Sequence, residues 1–393
     1  MEINKILELK DKNTTPFYIF DYDILQERYQ KLKKLSYQNM KLCYAIKANP
    51  FLVPALKKFD LLFEVCSPGE LSICEKYKVD PSKIVFSGVC KTYEDVKRAY
   101  NLRVKTITLE SKLHCSCLIE AVKNSETIHE QEVILRLTSG NQFGMSKDDL
   151  ENCIKLLKDI PSIKIRGIHY FTGTQKKIKK ITDEIVFITD FCSYLKEKYD
   201  LSFNDIEYGP GLSFDYFNLN GEENNYAEFE SFVSLIKDSS FNFVVELGRY
   251  FASSCGTYVT RIMDIKSDND KNYCIIDGGI NHINYYGQML GMKNPPVEHI
   301  KADGKSGADN SSDKALKYSI CGSLCTTADV VLRELKLTAA ETGDLLVFKN
   351  IGAYSITEGI YMFLSHPMPE VYIKNSGEIK KVRNQIETFE INS

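Results

Sequence analysis

The sequence predicts an α/β protein, built as a (β/α)8 TIM-like barrel followed by a C-terminal β domain of the sandwich or barrel type. Between residues 42 and 246, eight short apolar runs alternate with helix-length amphipathic stretches. This alternation is typical of parallel strands joined by helical crossovers. Beyond Gly248 the apolar runs are joined by loops instead of helices, which indicates a separate β domain.

The barrel strands are predicted from apolar runs that end in a turn or a polar side chain. They cover residues 42–47, 61–66, 84–87, 106–109, 132–137, 165–171, 205–208 and 243–246. The stretches 148–158 and 177–198 are predicted helices, and Ser67 and Ser146 mark helix starts. An open doubly wound sheet would show the same alternation, but a closed barrel leaves no exposed sheet edge.

Outside the barrel, strands and loops are predicted. A short strand at 17–20 precedes a helix from Asp23, and later strands cover 256–265, 273–277, 318–321, 345–348 and 370–373. The segment 301–314 is polar and rich in Gly, Ser and Asp, so we expect an exposed loop there.

Composition excludes several functions. The 393 residues are 43% hydrophobic, enough for two domains, and the net charge of −3 gives no reason to expect nucleic acid or an anionic membrane as partner. No apolar run could span a bilayer, and the N-terminus is too charged for a secretory signal.

The twelve cysteines indicate a reduced, cytoplasmic protein. The pairs Cys115/Cys117 and Cys321/Cys325 lack the second pair of a zinc site, so no metal is expected.

The strand ends carry the chemistry, because a barrel keeps its catalytic groups where its strands finish. Lys47 ends the first predicted strand, before Pro50 turns the chain. Desolvation there would favour a neutral amine, the form that makes Schiff bases. The other strand ends supply Glu64, Ser87, Arg136, His169 with Phe171, the turn Gly209-Pro210-Gly211, and Glu246 followed by Gly248 and Arg249.

Together these side chains suit an aldehyde cofactor that has a phosphate and a pyridine ring. A glycine turn lets backbone N–H groups approach a phosphate, and a carboxylate facing the ring nitrogen keeps that nitrogen protonated. Taken singly, Gly209 and Gly211 would also fit an ordinary tight turn, and Glu246 and Arg249 a surface ion pair.

A family resemblance is carried by seven segments in order: YAIKANP, FEVCSPGEL, GIHYFTGTQ, YGPGLS, ELGRYFASSCGTY, CGSLCTTAD and GAY. They resemble fold-type III pyridoxal-phosphate decarboxylases, which include the diaminopimelate and ornithine decarboxylases, from about residue 17 to 371. The resemblance implies pyridoxal 5'-phosphate as cofactor and a homodimer with shared active sites. It also implies a cofactor-binding barrel at 31–250 and a β domain made of 1–30 with 251–393.

The resemblance also implies residue roles. Lys47 is similar to the Schiff-base lysine, Glu246 to the acid on the pyridine nitrogen, and Cys325 to the cysteine that the partner subunit supplies to protonate the product. The remaining cofactor-binding candidates are Arg136, His169, Phe171, Thr174 (where the family usually has serine), Gly209, Gly211, Gly248, Arg249 and Tyr354. Asp329 matches the acid four residues after the cysteine.

The sequence departs from the family at two points. Phe171 stands where a histidine usually stacks on the cofactor; His169, two residues earlier, points to the same face, and either ring could stack. Thr326 replaces the acid that follows the cysteine, and the arginine that grips the distal carboxylate of diaminopimelate is missing near Tyr285. Since losing a buried charged partner costs roughly 2–5 kcal/mol, diaminopimelate is disfavoured, and Thr326, Asp329 and Tyr285 are the candidate substrate contacts.

We therefore expect a decarboxylase that removes the α-carboxylate of an amino acid or a derivative. The segments around Cys325 and Tyr354 resemble enzymes of specialised biosynthesis, which act on glutamyl groups tethered to an acyl-carrier protein or on siderophore intermediates. The alternatives are a diaminopimelate decarboxylase of lysine biosynthesis, a racemase and a non-catalytic regulator. The Cys325…Asp329 segment and the glycine turn disfavour a racemase, and the intact Lys47 and Cys325 disfavour a regulator.

Overall fold

The computed structural model describes residues 6, 9, 14–218, 221–269, 271–307 and 315–393. Most of the stretch 1–13 and the second half of the predicted loop 301–314 lie outside the described residues. The chain divides into two compact units. One joins Tyr29–Phe214 with Glu223–Phe251, and the other joins Met1–Arg28, Asp215–Glu222 and Ala252–Ser393.

The first unit is a closed barrel, as predicted. Its eight parallel strands pair in chain order, and the first pairs with the last. They are β2 (Met40–Ala45), β3 (Leu62–Val65), β4 (Ile84–Phe86), β5 (Thr106–Leu109), β6 (Gln131–Arg136), β7 (Ile163–Phe171), β8 (Asp205–Gly209) and β9 (Asn242–Leu247). All carboxyl ends therefore lie on one rim, which is where a barrel carries its site.

Several of the helices that follow the strands begin at a capping residue that the sequence supplies. Ser67, Ser111 and Ser146 each accept a backbone N–H in the first helical turn, and Thr92 forms a capping box with Asp95. The helices are α1 (Tyr22–Leu35), α2 (Val53–Leu56), α3 (Pro68–Lys76), α4 (Tyr93–Asn101), α5 (Lys112–Lys123), α6 (Lys147–Leu157), α7 (Ile178–Tyr199), α8 (Gly221–Ile236) and α9 (Arg249–Ala252). Within the described ranges, none of these helices is long and apolar enough to cross a membrane.

The barrel interior changes from apolar to polar towards the rim. Cys43, Leu62 and Val85 form a buried cluster against Val244. Since side chains two residues apart on a strand share a face, Glu64 follows Leu62 and Glu246 follows Val244 on the inner side. An apolar layer thus supports a layer of charged groups.

The second unit is built on one branched sheet. Its strands are β1 (Phe17–Asp21), β10 (Gly256–Asp268), β11 (Lys271–Ile276), β12 (Val297–Ile300), β13 (Leu316–Cys321), β14 (Val330–Leu337), β15 (Leu345–Phe348), β16 (Glu370–Asn375) and β17 (Glu378–Arg383). The pairing order is β14-β13-β11-β10-β1-β16-β17, with β12 and β15 paired to each other and β15 also to β10. Phe17 and Ile19 of β1 are buried with Val259, Val347 and Tyr372, so the N-terminal strand completes this core.

Three strands of this sheet are absent from the sequence prediction. β12 has only four residues, while β14 and β17 place Arg, Glu or Lys between their apolar residues. β17 lies at the end of the pairing order, where charged side chains remain solvated. A prediction based on long apolar runs therefore misses β12 because it is short, and β14 and β17 because they are polar.

A glycine in β7 sets a strict packing limit. A Cβ on Gly167 would overlap the backbone carbonyl oxygen of Asp205 in β8, and neither strand can shift without breaking the β7–β8 pairing. We expect Gly167→Ala to lower the free energy of unfolding by about 2–4 kcal/mol, measured by urea denaturation.

Gly69→Ala in α3 is the matched control, because its Cβ would meet only Ser67 Oγ at an ordinary 3.7 Å. We expect it to change stability by less than about 1 kcal/mol. Equal effects of the two substitutions would contradict the packing limit at Gly167.

Candidate active site

Lys47 stands just beyond a strand, in a short turn. The prediction places it in the first barrel strand, but β2 ends at Ala45 and Lys47 lies in the 3-10 turn Ile46–Ala48. Pro50 cannot continue a strand, and the side chain of Asn49 caps the next turn by accepting the N–H of Phe51. This turn lifts the amine above the rim, where the side chain is 43% exposed.

The amine of Lys47 faces a buried carboxylate. Its Nζ lies 2.8 and 3.0 Å from the two carboxyl oxygens of Glu64, whose side chain is 5% exposed. Cys66 Sγ donates to Glu64 Oε1 over 3.1 Å, and the Cys66 N–H donates to Glu70. Burial, and next the charge of Glu64, raise the pKa of the Cys66 thiol well above its usual range, so it serves Glu64 as a neutral donor. The sequence places Glu64 at a strand end but indicates no role for it.

Deeper in the barrel lie His169, Glu207 and Glu246. His169 Nε2 is 3.3 Å from Glu246 Oε1, and one ligand-type atom from each of the three residues lies within 4.8 Å of the others. Glu207 precedes the predicted glycine turn by two residues, and sequence reasoning gives it no role.

The two carboxyls of this trio differ in charge. Burial, and next the charge of Glu246, raise the pKa of Glu207 well above its usual range. Burial alone would raise the pKa of Glu246 as well, but His169 and Lys47 hold it below its usual range. Glu246 is therefore the ionised member and Glu207 the neutral one.

Arg136 has a partner that the sequence does not indicate. Its Nη1 donates to Glu110 Oε1 over 3.0 Å, and both side chains are nearly buried. His114 Nδ1 accepts the backbone N–H of Glu110, and burial lowers the pKa of His114 to about 4, which keeps its ring neutral. The charge of Arg136 is therefore balanced by Glu110.

The glycine turn after β8 is closely packed. A Cβ on Gly209 would overlap the ring of Phe171 and lie 3.3 Å from Glu246 Oε2. Gly211 has φ +58°, and a Cβ there would overlap the carbonyl oxygen of Gly173 and lie 3.0 Å from Thr174 Cα. The structure thus brings together four predicted parts: the turn, Phe171, Glu246 and the segment that holds Thr174. Gly248 and Arg249 follow directly after β9.

These residues fit the expected cofactor. Glu246 Oε1 is buried, and its 3.3 Å contact with His169 Nε2 is an ion-pair distance without the geometry of a hydrogen bond. This oxygen makes no hydrogen bond to a described residue, so it can accept one from a ring nitrogen. Only glycine fits at positions 209 and 211, where a Cβ would overlap Phe171 or Gly173, and backbone without side chains can approach a phosphate closely. The side chain of Lys47 is 43% exposed. His169, Glu207 and Glu246 also have the donor types of a divalent-metal site.

The β domain holds the predicted substrate residues in one tight loop. Cys325 and Thr326 are exposed, while Asp329 is only 3% exposed. The carboxylate of Asp329 accepts the N–H groups of Ile280 and Leu324 at 2.9 and 2.8 Å. Asp329 therefore fixes the loop that presents Cys325 and Thr326, and its carboxylate is engaged within the domain.

Two predicted tyrosines are also placed by this domain. The hydroxyl of Tyr285, assigned to substrate by the sequence, is buried and donates to the carbonyl of Lys349 over 2.6 Å. Tyr354 has φ +66°, and its carbonyl accepts the N–H groups of Thr357 and Glu358. Gly352, two residues earlier, packs directly on the backbone of Ala252, which fixes the start of this turn.

Comparison with known proteins identifies relatives along the whole chain. Residues 23–253 match the family profile "Pyridoxal-dependent decarboxylase, pyridoxal binding domain". The L-glutamyl-[BtrI acyl-carrier protein] decarboxylase of Niallia circulans is 26% identical over 97% of this chain and 94% of its own. The 2-[(L-alanin-3-ylcarbamoyl)methyl]-2-hydroxybutanedioate decarboxylase of Staphylococcus aureus is 27% identical over 92% and 94%. Diaminopimelate decarboxylase from Helicobacter pylori, solved with L-lysine, has the same fold, with a TM-score of 0.83, 18% identity and 98% of both chains covered.

The raised pKa of Glu207 predicts a pH dependence of stability. The folded protein holds this proton more tightly than the unfolded chain, so the group stabilises the fold below the ordinary pKa of 4.5, and that contribution is lost as the pH rises towards the raised value. We expect the wild type to lose stability relative to Glu207→Gln as the pH rises above 4.5, because the amide stays neutral.

The measurement is urea unfolding of the cofactor-free protein at a series of pH values. Glu130→Gln is the control, since it removes a carboxylate that is 57% exposed. Parallel stability curves for wild type and Glu207→Gln would show that Glu207 is ionised in the folded protein.

Proposed function

The chain belongs to the pyridoxal-dependent decarboxylases, and within that family we propose that it acts on an amino-acid group whose distal end is a long, uncharged tether. The reaction class is a carboxy-lyase that removes the α-carboxylate of an amino acid or a derivative. The tether is supported by one observation above all. The loop after Cys325 presents a neutral, exposed Thr326, and the segment 277–286 contains no arginine or lysine.

A carrier protein is the tether that we favour. A substrate with a charged distal end needs a buried charged partner, and losing such a partner costs roughly 2–5 kcal/mol. A glutamyl group held through its side chain by an acyl-carrier protein has no free distal charge. The relative from Niallia circulans, whose name states a carrier-bound glutamyl substrate, supports this choice. The relative from Staphylococcus aureus, whose name states an amino acid joined by an amide to a hydroxybutanedioate, gives a second candidate class. The distal end of that substrate carries carboxylates, so it differs from the uncharged tether.

The cofactor is pyridoxal 5'-phosphate. When bound, it withdraws the electron pair that remains on the α-carbon as carbon dioxide leaves. Lys47 is the residue that would hold its aldehyde carbon, and Glu64 at 2.8 Å holds the amine of Lys47 at the rim. Glu70 and Cys66 hold Glu64 in place through the contacts described above.

Glu246 holds a proton on the ring nitrogen. Its carboxylate is ionised in the barrel interior, and His169 at 3.3 Å orients it. With His169 engaged in this way, we assign stacking on the cofactor ring to Phe171, which lies beside Gly209. The trio of His169, Glu207 and Glu246 thus serves the organic cofactor rather than a metal ion.

The phosphate is held by the turn and the segments beside it. Gly209, Gly211 and Thr174 offer backbone and hydroxyl donors, while Gly248 and Arg249 after β9 add backbone N–H and positive charge. Arg136, balanced by Glu110, completes the rim. Tyr354 is proposed to close over the site.

Cys325 returns a proton to the α-carbon. Its thiol is exposed on a loop that Asp329 fixes, and we propose that it acts in the active site of a partner subunit. The working enzyme would then be a homodimer. The twelve cysteines, all of them free of disulfides, support a reducing, cytoplasmic setting.

Substrate choice can be tested by carbon dioxide release. We expect the cofactor-loaded protein to act on glutamyl-loaded acyl-carrier protein and not on free meso-diaminopimelate, lysine, ornithine or glutamate. Thr326→Glu should slow the tethered reaction on the order of tenfold, because it adds an unpaired charge beside the substrate. Thr326→Ser is the control. Rapid turnover of free diaminopimelate by the wild type would contradict the proposal and favour the lysine-biosynthesis alternative.

Shared active sites can be tested with mixed dimers. Lys47→Ala and Cys325→Ala should each be nearly inactive alone. Lys47→Ala should also lose the absorbance of the lysine-bound cofactor. After random exchange of subunits, half the dimers are mixed and one of their two sites is intact, so about a quarter of wild-type activity should return.

Cys90→Ala, which removes another exposed cysteine, should remain active and serves as the control. No recovery on mixing would mean that Cys325 acts within its own subunit or not at all.

A further inference from the structure

A second buried ion pair lies in the barrel unit, outside the residues assigned so far. Lys176 Nζ is 2.6 Å from Glu184 Oε2, and the two side chains are 3% and 8% exposed. Taking two charges out of water costs several kcal/mol each, and an apolar pair of similar volume often serves stability as well. Stability alone therefore does not explain why this ion pair is buried. The groups around Lys176 and Glu184 indicate a further role.

Lys176 makes two hydrogen bonds to the glycine turn. Its Nζ donates to the carbonyl of Gly209 over 3.2 Å, and its backbone N–H donates to the carbonyl of Gly211 over 2.8 Å. Its Cε lies 3.0 Å from where a Cβ on Gly211 would be. The side chain of Lys176 thus holds the Gly209–Pro210 peptide group, and its backbone N–H holds the Gly211–Leu212 peptide group.

These two bonds decide which way the turn faces. The C=O and N–H of one peptide group point in opposite directions, so holding the carbonyl of Gly211 turns the N–H of Leu212 away from Lys176. Pro210 has no N–H, so the turn has few donors and depends on their direction. Holding the Gly211 carbonyl leaves the N–H of Leu212 on the opposite side, where it can face an anion. Holding the Gly209 carbonyl presents no N–H of its own, but it fixes the path of the turn through Pro210.

The ammonium group of Lys176 is itself held on several sides. It donates to the carboxylate of Glu184, which balances its charge. Thr172 Oγ1 lies 3.2 Å from Nζ and Tyr208 OH lies 3.3 Å from it. Tyr208 and Thr172 also donate to Glu184 at 2.6 and 2.5 Å. The segment is pinned again at Gln175, whose side-chain amide bonds the backbone N–H and C=O of Phe214.

We propose that Lys176 is a positioning residue for the cofactor phosphate: its side chain fixes the path of the Gly209–Gly211 turn before Pro210, so that the N–H of Leu212 faces the phosphate. This rests on the proposed phosphate cradle. Lys176 acts through the turn and touches no reacting atom. Its removal should therefore weaken binding of the phosphate and leave the contacts of the ring and the aldehyde unchanged.

The test compares two ligands that differ only in the phosphate. The full-length protein, stripped of cofactor, is titrated with pyridoxal 5'-phosphate and with pyridoxal, and binding is followed by absorbance. For Lys176→Met we expect the dissociation constant of pyridoxal phosphate to rise on the order of tenfold, as for the loss of one charged hydrogen bond, and that of pyridoxal to stay unchanged.

Lys180→Met is the matched control, since Lys180 lies 3.9 Å from the same glutamate but is 59% exposed; both ligands should bind it as they bind the wild type. If Lys176→Met does not fold, Lys176→Met with Glu184→Gln removes both buried charges and should show the same phosphate-selective loss.

If Lys176→Met loses affinity equally for the two ligands, or loses none, Lys176 does not position the phosphate. Its role would then be in packing. A wild-type protein that binds pyridoxal phosphate no better than pyridoxal would instead overturn the proposed cradle itself.

Discussion

Closure of the barrel is the constraint on which the site depends. β2 pairs with β9, and the register sets Cys43 opposite Glu246. This pairing brings the first strand, which leads to Lys47, beside the last strand, which carries Glu246, although some 200 residues separate them in the chain. If the same strand order were left open, these two strands would lie at opposite edges of the sheet. Lys47 and Glu246 could then not act on one cofactor in the way proposed.

Closure also creates the low-dielectric interior in which the charges act. Glu207, Glu246, Lys176 and Glu184 are buried, and each would be costly without partners. The structure meets this cost by pairing each ion or by keeping a carboxyl neutral, as at Glu207. One oxygen of Glu246 is left without a hydrogen bond within the described chain. A ring nitrogen beside this oxygen would supply that bond.

The sequence was sufficient for the barrel but not for the partners of its charges. Apolar runs that end in turns have a local signal, so all eight strands could be predicted, while Lys47 was placed in a strand because Tyr44 and Ile46 continue the alternation. The bonds from Glu64 to Lys47, from Glu110 to Arg136 and from Lys176 to Gly209 join residues 17, 26 and 33 positions apart. No local pattern marks such pairs. The strand order of the closed barrel brings these residues together.

The proposed cofactor residues and the proposed substrate residues are held by different kinds of contact. The proposed cofactor contacts of the barrel are interlocked: Gly209 cannot change without moving Phe171, nor Gly211 without moving Gly173. The loop of Cys325 and Thr326 is different. Asp329 holds it through backbone N–H groups, which any residue but proline provides. The hydroxyl of Thr326 adds one bond to this loop, accepting the N–H of Ala328 at 3.3 Å, and the oxygen of an acid at this position could accept the same N–H. An exchange of Thr326 for an acid would then keep the loop and change only the charge that it presents, which is why the proposed substrate preference rests on this residue and not on the barrel.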